Sequence, residues 1–414
     1  ITDMSFIAGI KGYGDVWNYD LSLTHGGNEL EYGVVNTLNT SLGPTSQTEF
    51  DAGTLEYDTT IINADASRLV DTGLFYSEMN FAMGAEYRHE GYEITAGEEN
   101  SYIQGTFGPG GVVTDPVNGP FGAAGSQVFP GFTPESAGDN SRHNYSFYVD
   151  LEADVVENWN VAVAGRFEDY SDFGSELVWK VAGQYDVTET IGLRSSIGTG
   201  FRAPTPGQQG TTNVSTRLPN GFPVATGLFP ANGAVAQALG AEPLKPETST
   251  NFSVGATGSF DNLSVTLDFY QIKLKDRVNA ISTQDVSSDP DAGTAYENFL
   301  ALQSAGVAGA ESIGGVFYFT NAFDTKTTGA DLVVTYPVEW GNGSTTNLTG
   351  SLNYNKTEFD GNVDDLFNEE SQFDFENGTP ELRAVLTAVH DIGDFSVLGR
   401  ANYYGSYENS NGGS

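Results

Sequence analysis

The chain has 414 residues, with 55 acids against 17 bases for a formal net charge of −38, no cysteine, and a mean hydropathy of −0.28. That acidity argues against a nucleic-acid partner, because it repels phosphate backbones. The missing cysteines exclude disulfides, thiolate metal sites and thiol nucleophiles. No run of about 18–20 apolar residues offers a transmembrane helix; 51 Gly, 20 Tyr and 26 Phe with almost no helical patterning describe a long all-β chain rich in turns.

The opening residues, Ile1–Ile10, lack the basic start and cleavage pattern of an export signal. A short turn is predicted near Lys11–Gly14, a long loop over 26–53, a second short turn at Val70–Gly73 and a long loop over 91–142. Period-two alternation then becomes explicit. Tyr145, Phe147, Val149, Leu151, Ala153 and Val155 share one face, with Ser146, Tyr148, Asp150, Glu152 and Asp154 on the other. After a turn at Val156–Asn158, Trp159, Val161, Val163 and Phe167 oppose Arg166 and Glu168; Leu177, Trp179 and Val181 then oppose Lys180, Gln184 and Asp186. Past Val187–Glu189, Ile191, Leu193 and Ile197 oppose Arg194, and a long loop covers 203–247. The pattern resumes with Leu263, Val265, Leu267 and Phe269 opposite Asp268, after a turn at Phe260–Asn262 and before a loop over 275–324. Leu348, Leu352 and Tyr354 follow a turn at Pro337–Ser344, and the loop 359–379 comes next. Beyond Asp391–Asp394, Phe395, Val397 and Tyr403 oppose Arg400.

Strands of about 11–15 residues exceed those of soluble sheets, and short turns alternate with long loops. Both point to an antiparallel transmembrane β-barrel, whose strands need only about 9–11 tilted residues to cross a bilayer. Aromatics at strand ends, such as Tyr145, Trp159, Tyr170 and Trp340, suit the membrane interfaces. The reading gives about 14 strands between Asp3 and Tyr404 in one domain, 1–414.

Four stretches make the pattern specific. They are R-F-E-D-Y-S-D-F-G at Arg166–Gly174, I-G-T-G-F-R-A-P at Ile197–Pro204, L-K-P-E-T-S at Leu244–Ser249 and N-A-F-D-T-K-T-T-G-A-D-L at Asn321–Leu332. In this order and spacing they resemble the barrel of TonB-dependent receptors. The resemblance implies an outer-membrane active importer of a scarce small-molecule ligand, most often a ferric siderophore or similar chelate. It also implies a plug domain that fills the barrel and a TonB box that takes energy from TonB. Neither plug nor box is visible here, and the family's terminal aromatic strand is not seen. With about 22 strands in a family barrel, strand directions match strands 6 to 19, so a longer receptor is expected. Outer-membrane lipid and lipopolysaccharide are the implied surroundings.

Candidate lumen residues facing the plug are Asp150, Glu152, Asp154, Arg166, Glu168, Arg194, Asp268, Asp331 and Arg400; the bland alternative is the wet wall of any barrel. Arg202 is expected to pair with a lumen acid at its strand end, or to touch ligand. Phe107, Phe121, Phe129, Phe132, Phe222 and Phe229 are candidate ligand contacts, with loop self-packing as the alternative. Asp360, Asp364, Asp365, Glu369, Glu370, Asp374 and Glu376 form an acidic loop without EF-hand spacing, read as solvated rather than Ca²⁺-binding. His25, His89, His143 and His390 are scattered in sequence, and no acid/base or nucleophile constellation stands out, so no enzyme, resident metal or cofactor is expected. The rival readings are a passive porin or adhesin barrel, a soluble β-sandwich, and an outer-membrane enzyme.

Overall fold

A computed structural model describes residues 1–108, 122, 124–217, 224–307, 310, 313–363, 367 and 369–410. Its first eight strands are β1 (Thr2–Tyr13), β2 (Asn18–Val35), β3 (Glu49–Val70), β4 (Met79–Ala96), β5 (Gly138–Val156), β6 (Trp159–Tyr170), β7 (Gly174–Thr188) and β8 (Ile191–Arg202). Two short strands, β9 (Asn213–Arg217) and β10 (Val224–Leu228), precede β11 (Glu247–Phe260) and β12 (Leu263–Ala280). Two more, β13 (Gln284–Asp285) and β14 (Ile313–Phe317), precede β15 (Phe319–Glu339), β16 (Thr345–Phe359), β17 (Leu382–Ile392) and β18 (Phe395–Tyr404).

The long strands form one 14-stranded antiparallel sheet in chain order, with β1 and β18 at its edges. The count agrees with the sequence reading. Chain order follows from tight turns at one end of the sheet: Asp261 and Gly393 take φ of 49° and 57° in the links β11–β12 and β17–β18, the left-handed geometry that lets a short hairpin match strand twist.

The sheet inverts the rule of soluble proteins. Leu151, Val163, Val181, Ile197 and Phe252 lie in one register row across five strands, and Val163, Val181, Ile197 and Phe252 are all strongly exposed. Such a contiguous apolar surface is stable only against hydrocarbon. The buried apolar core lies instead at the long-loop end. Val286, Phe299, Leu302, Ile313, Val316 and Tyr318 pack together there, built on the four-stranded sheet β13-β14-β10-β9 and on the helices Ala234–Ala238 and Thr294–Ser304.

Two features differ from expectation. Strands reach 22 residues in β3 and 21 in β15, so the first two loops shrink to 36–48 and 97–137. The cause is that the ladder continues beyond the apolar band, where Glu29, Glu56, Asp58 and Glu93 replace apolar side chains on the outer face and erase the alternation. The loop sheet and its helices fall within spans predicted only as the long loops 203–247 and 275–324, because their strands are too short to show a period.

A charge placed in the apolar band should cost far more than one on the opposite face. Val149→Arg is expected to destabilise the folded protein by about 2–4 kcal/mol, and Asp150→Arg by much less, as measured by urea unfolding in vesicles.

Candidate functional site

The face opposite the apolar band is polar. Asp150, Glu152, Asp154, Arg166, Glu168, Arg194, Asp268, Asp331 and Arg400 all stand on it by alternation and register. Arg166 is the densest node: Nε donates to Glu168 at 2.6 Å, Nη2 donates to Ser146 at 2.7 Å, and Glu86 lies 3.5 Å away. Tyr148 donates to Asp65 at 2.7 Å. Arg194 Nε donates to Asp268 at 2.8 Å, Asn353 donates to Asp331 at 2.6 Å, Asn160 to Asp154 at 3.1 Å, and Arg400 to Thr387 at 3.2 Å. Glu152 is exposed and Asp150 half-buried. The wall thus carries paired and solvent-facing charges together, a surface able to exchange hydrogen bonds with a polar body inside it.

Higher up, the four sequence motifs converge on the rim. Its hub is Arg142, whose side chain is 6% exposed. Nε donates to Glu90 at 2.7 Å, Nη1 donates to Asp172 at 3.3 Å and to the Pro204 carbonyl, and the guanidinium sits 5.0 Å from the Tyr170 ring centroid. Tyr57 donates to the other Glu90 oxygen at 2.7 Å. Tyr170 stacks on Phe173 at 4.6 Å and meets Phe201 edge-on at 6.0 Å. The segment after β8 turns through the short helix Pro206–Gly210, capped by Thr205 and Gln208, and returns to β4 and the β6–β7 link through Thr211–Tyr92 and Gln209–Asp172 bonds. Gly210 is required there, since a Cβ would overlap Asn140.

Glu90 and Arg142 lie beyond the Tyr87–Tyr145 aromatic pair that closes the apolar band. Burial alone would raise the Glu90 carboxyl; the Arg142 and Tyr57 hydrogen bonds outweigh it and hold the group below the usual carboxylate range.

The remaining motifs are joined in the same way. Arg202 donates to Glu247 at 2.7 Å, and the same Glu247 oxygen accepts the Val278 N–H at 2.7 Å. Glu247 is buried while the Arg202 side chain is 60% exposed. Asn321 accepts from the Lys245 N–H at 2.8 Å and donates to the Lys245 and Asp276 carbonyls at 2.8 and 2.7 Å.

The loops fold into three packed units. In the first, fully buried Asn39 accepts from Ser41 and donates to the Asn100 and Ile103 carbonyls, tying 36–48 to 97–137. Phe107 packs against Gly43, whose φ of 55° and missing Cβ leave room for the ring. Phe129 stacks on Tyr32 at 4.6 Å, and buried Phe132 meets both edge-on. Phe229 packs against the loop-sheet core of the second. Phe121 and Phe222 lie outside the described residues, as do Asp364 and Asp365 of the acidic loop. In the third unit Phe323, Phe359, Phe367 and Phe375 cluster, with the Arg277 guanidinium 5.4 and 5.7 Å from two of the rings. There Glu376 accepts the Phe359 N–H and Asp374 binds Ser410, so both acids serve the loop's own fold. Sequence reading missed Asn39, Glu90, Arg142 and Arg277, each of which has partners tens of residues away.

The family model described as TonB dependent receptor-like, beta-barrel matches residues 5–414. Among solved structures, the siderophore receptor PirA from Acinetobacter baumannii superposes with a TM-score of 0.61 at 14% identity, over 98% of this chain and 51% of that one. A mutant of the ferric enterobactin receptor PfeA from Pseudomonas aeruginosa, in complex with enterobactin, gives 0.64 at 14% identity, over 97% and 49%. The RagAB peptide transporter gives 0.59 at 12% identity, over 97% and 47%. The chain therefore spans about half the length of these solved relatives, and the likeness to them is one of fold. No curated protein matches the sequence.

Arg142→Ala strands a buried carboxylate and is expected to cost about 3–5 kcal/mol, while Arg142→Met with Glu90→Gln should recover much of it; thermal unfolding of both variants checks this. Because the Glu90 pKa is depressed on folding, its contribution is complete above the ordinary carboxylate range and is lost as pH falls through the lowered value. Hydrogen-exchange protection of 203–211, taken relative to the intrinsic exchange rate at each pH, should accordingly fall on acidification in the native protein, and less so in the double variant. Glu247→Ala should destabilise by about 1–3 kcal/mol, with Arg202→Ala milder because that side chain is mostly exposed.

Proposed function

Because the chain belongs to the TonB-dependent receptor β-barrel family, we propose that it serves an outer-membrane receptor that imports a small-molecule ligand by TonB-coupled active transport. Residues 1–414 are read as one barrel domain. The long-loop end faces the outside and captures the ligand. The polar wall, with Arg166, Glu168, Arg194 and Asp268 at its nodes, holds a plug domain through hydrogen bonds that exchange as the plug moves. The outer membrane has no energy source of its own, which is why coupling to TonB is part of the proposal.

The observation that carries the reading is family membership, supported by a loop end built as rigid units above a polar lumen. Preformed loops lose less conformational entropy on binding. Of the sequence candidates, Arg202 is the ligand contact we favour, because its guanidinium remains largely open while Glu247 fixes its direction. Phe107, Phe129, Phe132 and Phe229 support capture by stiffening the loops. The cargo we propose is a ferric siderophore or similar chelate. PirA and PfeA are siderophore receptors, whereas RagAB is a peptide transporter, so peptide is the alternative cargo.

Uptake of radio-iron chelates by cells carrying or lacking the full-length protein tests the proposal. Uptake should rise on iron starvation, collapse without TonB or the proton-motive force, and fall with Arg202→Ala. Uptake indifferent to both energy and TonB would instead identify a passive pore, and energy-dependent uptake of peptide alone would replace the cargo.

A further inference from the structure

Three of the chain's four histidines, distant in sequence, fall into one register row. His25 faces Thr60, Thr60 faces His89, and His89 faces His143, on the adjacent strands β2 to β5. Alternation puts this row on the outer face of the sheet, with Tyr87 and Tyr145. It lies one outward position beyond that aromatic pair, toward the long-loop end. It is therefore outside the hydrocarbon, where a cation keeps its water.

The row divides by backbone geometry. The His143 N–H donates to Ser171 Oγ at 3.1 Å and its carbonyl accepts the Ser171 N–H at 3.0 Å. Both His143 backbone groups thus point toward the β6 side. Toward β4 the pair His89–His143 is non-hydrogen-bonded, the arrangement that brings facing side chains closest, with Cα atoms about 4.5 Å apart. The His143 ring is steadied edge-on against Tyr145 at 5.6 Å. His25 is engaged with Thr60 at 2.9 Å.

We propose that His89 and His143 form a two-imidazole site for a late first-row divalent ion, of the class of Cu²⁺ and Zn²⁺, at the outer membrane interface. Imidazole nitrogen favours these ions, whereas Ca²⁺ and Mg²⁺ prefer oxygen. Among the described residues no three such donor side chains converge, so the two imidazoles are the fixed ligands and water completes the shell. The surroundings favour a cation. Asp58 places a carboxylate oxygen beside Gly91, one outward position above His89. Beyond it, Glu29, Glu56, Glu93 and Asp139 face one another in a single row across four strands. Facing like charges are unfavourable unless countered, and their summed field raises the local cation concentration.

The test is Cu²⁺ titration of the tag-free full-length protein in detergent, read by electron paramagnetic resonance. One equivalent should show nitrogen hyperfine coupling, a large excess of Zn²⁺ should compete it away, and the same concentration of Ca²⁺ should not. His89→Gln and His143→Gln should each weaken binding by at least about tenfold, whereas His390→Gln, on β17 beside Thr346, should leave it unchanged. Heat-modifiable migration confirms that each variant is folded. An oxygen-only Cu²⁺ signal, displacement by Ca²⁺, or equal affinity in the folded His89 and His143 variants would overturn the site and leave only cations condensed on the acidic row.

Discussion

A backbone amide in hydrocarbon has no water to bond, so each strand of this chain depends on its neighbour for its N–H and C=O partners. The antiparallel ladder meets that constraint for every strand between its two edges, β1 and β18, and the rest of the architecture follows from it. With side chains alternating across the ladder, one face must match lipid and the other is free to be polar. That is why Val163, Val181, Ile197 and Phe252 lie exposed while Arg166, Glu168 and Ser146 bond to one another behind them. It is also why the buried apolar core moves out of the sheet and into the loops.

At the rim the constraint changes. Water is again present and the strands diverge into loops, so cross-links must be supplied by side chains. Arg142 joins β4, the β6–β7 link and the segment after β8; Glu247 joins β8 to β12; Asn321 joins β15 to the approach to β11 and to the end of β12. The family-like motifs are therefore in large part the rim's fastening. Arg202 belongs to the fastening and to the open surface at once.

Aromatic residues suited in principle to an organic ligand are largely engaged: Phe132 is buried, Phe129 is stacked on Tyr32, and Phe229 packs on the loop-sheet core. Their place in the structure is in the packing of the loops themselves.

Within the apolar band, period-two alternation named the strands, their number and the lumen face, because one face meets lipid along that stretch. Four ordered motifs named the family. Strand length beyond the band escaped, because Glu29, Glu56 and Glu93 make both faces polar and the period disappears. The Arg142–Glu90 pair, the Asn39 clamp and the histidine row escaped for a second reason. Their members lie 52, 61 and 64, or tens of residues apart, and nothing local marks them as partners. Sequence alone determined what each strand turns toward lipid and toward the lumen, since that depends only on a residue's own parity. Which residues meet across strands was decided by register, a property of the whole ladder that only the tertiary structure sets.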